Sequence, residues 1–87
     1  MIDIDRLNSY FKANGYTLNP RYEGRDEITE GTLKWTDRWG SEHKMTLMAG
    51  ASGCACLVKP NLTTKWYYDK SNAQLIRILD QVKEFYR

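Results

Sequence analysis

A chain of 87 residues makes one domain and not two, because independent domains below about 50 residues are rare without staples. With 41% hydrophobic and 28% charged residues, it has the balance of a folded globular domain rather than a disordered segment. A net charge of +2 is too small to announce a nucleic-acid or membrane-surface protein, and no run approaches the roughly 18 apolar residues of a membrane span.

The start, Met1-Ile2-Asp3-Ile4-Asp5, is acidic and lacks the apolar run of a signal peptide, so a cytoplasmic setting is expected. Ile4, Leu7, Tyr10 and Phe11 recur at helical spacing, with Asp3 or Asp5 placed to cap the helix. Asn14-Gly15 supplies the left-handed residue that ends it, and Tyr16 and Leu18 lead apolar contacts away. Pro20 prevents helix from resuming. Residues 19–27 read as an exposed loop within an acidic stretch, where Glu23, Asp26, Glu27 and Glu30 face only Arg25.

The period then changes to two. Thr32-Leu33-Lys34-Trp35-Thr36 alternates as a half-buried strand does. Asp37-Arg38-Trp39-Gly40 has the chemistry of a type I turn with a bulge, Asp opening it and Gly taking the left-handed position. His43, Met45 and Leu47 alternate with Lys44, Thr46 and Met48, and Gly50-Ala51-Ser52-Gly53 makes the next turn. Cys54 to Lys59 forms a third strand, ended by Pro60-Asn61, and Lys65 to Asp69 a fourth. The last element is the plainest. Ser71 and Gln74 make a capping-box pair, and Leu75, Ile78, Leu79, Val82 and Tyr86 share one helical face flanked by Ile76 and Phe85.

The expected fold is therefore α+β: an antiparallel β-meander of three to four strands, flanked by an N-terminal and a C-terminal helix packed on one face. The order is α-β-β-β-β-α, and residues 1–87 form a single domain. Short loops force antiparallel neighbours, and one sheet face is the apolar surface both helices need. Parity puts Leu33, Trp35, Met45, Leu47, Cys54, Cys56, Val58, Trp66 and Tyr68 under the helices. The opposite face then carries Lys34, Lys44, Lys59 and Lys65 with Met48, Leu57 and Tyr67, a shallow basic platform able to attract a polyanion or an acidic protein surface.

Aromatic residues are 13% of the chain, a load a small core does not fully absorb, and Trp and Tyr are favoured at interfaces. Trp39 stands out, because a turn tip is the place least able to bury a large ring and Arg38 stands beside it. Trp and Arg are the residue types most enriched at binding hot spots. The competing expectation has Trp39 folding back over the sheet edge or onto the acidic loop.

Chemistry-bearing patterns are sparse. Cys54 and Cys56 point the same way from a strand, at the outer edge of disulfide reach, and read as free thiols. His43 is the only histidine, so no zinc site, other metal or cofactor is expected. The acidic loop offers nothing to raise a carboxyl pKa as acid–base catalysis requires. Leu7-Asn8-Ser9-Tyr10-Phe11 with Tyr22-Glu23-Gly24 is superficially similar to the opening of double-stranded RNA-binding domains. Where that family places a basic, phosphate-gripping start to its last helix, this chain has Ser71-Asn72-Ala73-Gln74. Gly40-Ser41-Glu42-His43 resembles the Gly-Ser-His motif of HicA-type toxin ribonucleases, displaced by one residue and on a different strand.

The leading expectation is a non-enzymatic interaction module for another macromolecule, first of all a protein. It would be a small inhibitor or adaptor of the kind phages and mobile elements carry, including blockers of a host defence nuclease such as a CRISPR effector. The alternatives are a nucleic-acid binder using the lysine face and a small enzyme using His43 or a cysteine. The residues expected to touch a partner are Arg38, Trp39, Lys34, Lys44, Lys59, Lys65 and Tyr67, with no membrane involved.

Overall fold

The structure is a computed structural model that describes residues 1–23, 27–60 and 63–87. Gly24, Arg25 and Asp26 of the acidic stretch, and Asn61 of the break after the third expected strand, lie outside the described residues. The elements in chain order are α1 (Ile4–Ala13), β1 (Thr17–Leu18), β2 (Ile28–Thr36), β3 (Glu42–Gly50), β4 (Cys54–Val58), β5 (Thr64–Tyr68) and α2 (Asn72–Phe85). The fold is α+β, with a helix at each end of an antiparallel meander in the order β1-β2-β3-β4-β5.

The sheet has five strands, not three to four. The additional one is β1, which pairs Thr17 with Thr32 and Leu18 with Gly31. Two residues cannot display an alternation, so the strand leaves no periodic signal. β2 also begins at Ile28, well before the alternating segment that announced it, and pairs with β3 as far as Ile28 opposite Gly50.

Local chemistry places both helices. The Asp3 carboxylate accepts from the Arg6 N–H at 3.1 Å and caps α1, whose buried face is Ile4, Leu7 and Phe11. Gly15, at φ +79°, releases the chain. At α2 the capping box is complete: the Gln74 N–H donates to Ser71 Oγ at 3.2 Å and the Ser71 N–H to Gln74 Oε1 at 2.8 Å. Leu75 and Leu79 are the fully buried residues of this helix.

Asn72 joins the two helix starts. Its side chain accepts from the Asp3 N–H at 2.8 Å and donates to the Asp3 carbonyl at 2.7 Å. Farther along, the Tyr10 hydroxyl donates to Asp80 at 2.5 Å. Among the described residues the buried Tyr16 hydroxyl meets no hydrogen-bond geometry, and burial pushes its pKa up to about 12. Burial, with the Asp80 hydrogen bond second, raises that of Tyr10 further.

Parity holds through the first two long strands and fails beyond them. Leu33, Met45 and Leu47 lie buried under the helices as expected, with Trp35 half-buried at the margin. In β4 and β5, however, the inward residues are Ala55, Leu57 and Tyr67, and Lys65 shares their parity. Cys54, Cys56, Val58, Trp66 and Tyr68 belong to the open face instead. The reason is register. Ala49 pairs with Ala55 and Leu47 with Leu57, so odd residues meet odd residues across the turn in which Gly53 takes φ +97°. The apolar weight of Cys54, Cys56 and Val58 suggested the reverse, but side-chain size does not set register; the turn does.

Candidate functional site

The β2–β3 hairpin ends in a turn built around one carboxylate. Asp37 Oδ1 accepts from the Trp39 N–H at 2.8 Å and the Ser41 N–H at 2.9 Å, while Gly40 takes φ +82°. Asp37 Oδ2 lies 2.7 Å from His43 Nε2. The His43 hydrogen bond, followed by the one from the Ser41 N–H, holds the Asp37 carboxyl below its ordinary pKa. His43 stacks on Trp35 with ring centroids 5.3 Å apart and meets Tyr86 at 5.4 Å. Trp35 Nε1 donates to the Tyr86 carbonyl at 3.3 Å. The turn is thus tied through Asp37 and His43 to the end of α2.

That network holds the Trp39 backbone but neither the Arg38 nor the Trp39 side chain. Trp39 is 79% exposed, and the Arg38 guanidinium lies 5.4 Å from its ring centre. The competing expectation, in which Trp39 folds back on its own domain, does not match this exposure. Arg38 and Trp39 form an exposed cation–π pair on a turn whose backbone is fixed from below.

The lysines divide between two surfaces. Lys34 and Lys44 are direct cross-strand partners on the open face. Like charges placed directly opposite repel, and neither lysine enters the Asp37–His43 contact or the Glu84–Arg87 ion pair found among the described residues. Lys59 and Lys65 do not join them. They line a groove on the helix side with Tyr67, Ile78, Val82 and Phe85, so the single four-lysine platform expected from parity does not exist. What the four share is an end of the molecule: all lie toward the strand termini nearest the Arg38–Trp39 tip. Glu27 and Asp3 lie at the opposite end, near Ala51, whose N–H donates to the Glu27 carbonyl.

The open face has an apolar half, where the sequence pattern places Met48 but assigns Cys54, Cys56, Trp66 and Tyr68 to the core. Met48, Cys56 and Trp66 run across β3, β4 and β5 as successive pair partners, and Cys54 pairs with Tyr68. Trp66 is 53% and Tyr68 61% exposed. Their signal was present in the three-aromatic run Trp66-Tyr67-Tyr68, because an alternating strand cannot turn three consecutive rings inward.

The structure places His43 and the two cysteines on different faces of the sheet. His43 lies on the helix side with Trp35 and Tyr86, whereas Cys54 and Cys56 are free thiols of the open face. No group of three His, Cys, Asp or Glu side chains able to hold a metal occurs among the described residues. No helix among them is long and apolar enough to cross a membrane. No model of a protein family matches the chain, and no curated protein or solved structure matches it.

Proposed function

We propose that this domain is a non-enzymatic protein-binding module that engages its partner through the Arg38–Trp39 tip. The observation that supports the reading is an exposed tryptophan on an anchored turn. A ring 79% exposed forfeits hydrophobic free energy that a partner pocket would recover. The Asp37 and His43 contacts fix the backbone beneath it, so less conformational entropy is lost on docking. Lys34 and Lys44, which enter no ion pair among the described residues, favour an acidic surface around that pocket. Such a module acts by occupying a surface of its partner, as an inhibitor or adaptor does. A host defence nuclease, including a CRISPR effector, is one target class compatible with that action.

The Lys34–Lys44 pair also favours a second reading, in which the open face contacts a nucleic-acid backbone. Only two of the four lysines lie on that face, which weakens it relative to the protein reading. Affinity capture from lysate of the source cells, with wild type and Arg38→Ala/Trp39→Ala run in parallel, distinguishes the two. The protein reading expects a retained protein that nuclease treatment leaves bound and the double substitution releases. Capture abolished by nuclease, with a steep log–log dependence on salt of about −0.9 per phosphate contacted, would replace it with the nucleic-acid reading.

A further inference from the structure

We propose that the outer edge of β5, with the groove between that strand and α2, takes up an extended acidic segment of a partner protein as an additional strand. The proposal rests on the domain being a protein-binding module, but not on the Arg38–Trp39 tip.

The free backbone groups can be assigned from the ladder. The Lys59 N–H donates to the Thr63 carbonyl at 2.9 Å, so residues 59 and 63 form a hydrogen-bonded pair. Antiparallel ladders alternate such pairs. Leu57 with Lys65 and Ala55 with Tyr67 are therefore the next bonded pairs inward along the β4–β5 register. Thr64, Trp66 and Tyr68 consequently direct their N–H and C=O groups away from β4, and β5 is the last strand of the sheet.

The two sheet edges differ. β1 is blunted by its length of two residues and by Pro20 just beyond it. β5 has five residues in unbroken register, no proline and one charge, Lys65, so it lacks most of the devices that protect an edge.

The occupant's chemistry follows from what flanks the edge. On the helix side, Tyr67, Ile78, Val82 and Phe85 give the groove apolar walls, and Phe85 is 82% exposed. Lys59 and Lys65 line the same groove, and none of its lining residues is a carboxylate. The Lys65 ammonium sits 5.3 Å from the Tyr67 ring centre, within the groove. On the other face an added strand would meet Trp66 and Tyr68. The fitting segment thus alternates apolar residues with at least one Asp or Glu directed at the lysines, and main-chain pairing supplies the rest of the affinity. A second copy of this chain fits less well. Edge-to-edge pairing of two β5 strands would bring two such basic grooves together with no carboxylate between them.

Panning a library of random linear dodecapeptides against the intact protein tests the proposal. The enriched peptides should interleave Asp or Glu with Val, Ile, Leu or aromatic residues. Bound in synthetic form, such a peptide should slow amide exchange at Thr64, Trp66 and Tyr68 at least about tenfold. Charge reversals Lys59→Glu and Lys65→Glu should each weaken it by roughly fivefold. Arg38→Ala/Trp39→Ala should leave it bound, which separates failure of this site from failure of the tip. The proposal is overturned if no peptide enriches, if enriched peptides lack acidic residues, or if binding leaves those amides unchanged. Concentration-dependent self-association that protects the same amides without peptide would also overturn it.

Discussion

Gly31→Ala is the most informative single perturbation of the fold. Gly31 faces α1 from the middle of β2, and a Cβ added there would lie 2.7–2.8 Å from three atoms of the Phe11 ring. The ring has nowhere to retreat: Phe11 is fully buried, with the Tyr16 ring centroid at 5.0 Å and that of Tyr10 at 6.1 Å. Overpacking of this kind costs about 1–3 kcal/mol. Reduced entropy of the unfolded chain returns up to about 1 kcal/mol for a Gly-to-Ala change. The net loss is then about 1–2 kcal/mol, or a Tm lower by roughly 5–15 °C for a domain of this size. Urea and thermal unfolding followed by circular dichroism measure it. A companion Phe11→Leu substitution gives the steric cause its own readout. The smaller side chain should make room for the added methyl group, so the double variant should be more stable than the summed single losses by at least about 0.5 kcal/mol. A Gly31→Ala variant as stable as wild type, or strictly additive losses, would refute this packing of α1 on β2.

Other consequences follow from the titratable groups and the thiols. Because folding lowers the Asp37 pKa, its contribution is present above the unfolded value of 3.8 and is lost as pH falls through the folded one. Asp37→Asn should therefore destabilise the hairpin at neutral pH and show a shallower loss of stability in acid, read from urea midpoints between about pH 2 and 6. The tyrosines act in the opposite window. Tyr10 and Tyr16 ionise less readily when folded, so stability is full below about pH 10 and falls above it. Tyr10→Phe should cost about 1 kcal/mol at neutral pH through the lost Asp80 hydrogen bond and should reduce that alkaline decline. Cys54 is exposed and Cys56 buried, so a thiol reagent should label Cys54 quickly in the native protein and Cys56 only on unfolding.

The elements legible in the sequence were those specified locally. Asp3 before α1, Ser71 with Gln74 at α2, and Asp37 with Gly40 at the hairpin each carry their structure within a few residues. The exposure of Trp39 was one of two readings the turn left open, since the local pattern fixes the backbone at the tip but not where its ring packs. Sheet parity beyond β3 was not legible, because it depends on how the turn at 50–53 registers β4, and the apolar content of Cys54, Cys56 and Val58 argued for the wrong face. Asn72 reads as an ordinary helix-start residue, and its bridge to Asp3 spans 69 positions with no sequence signal. Gly31 carried none either, because the alternating segment opens at Thr32 and leaves it outside the expected strand, whereas β2 begins at Ile28.

The central claim is that Arg38 and Trp39 serve a partner rather than the domain itself. It is tested most directly by comparing the thermal melt of Arg38→Ala/Trp39→Ala with its titration against the captured partner. Neither side chain belongs to the hydrophobic core or packs against it, so the Tm should stay within about 2 °C of wild type, as for an exposed surface substitution. Truncating a binding anchor costs about 2–4 kcal/mol, which weakens affinity roughly 30- to 1000-fold. A large fall in Tm with affinity unchanged would contradict the account.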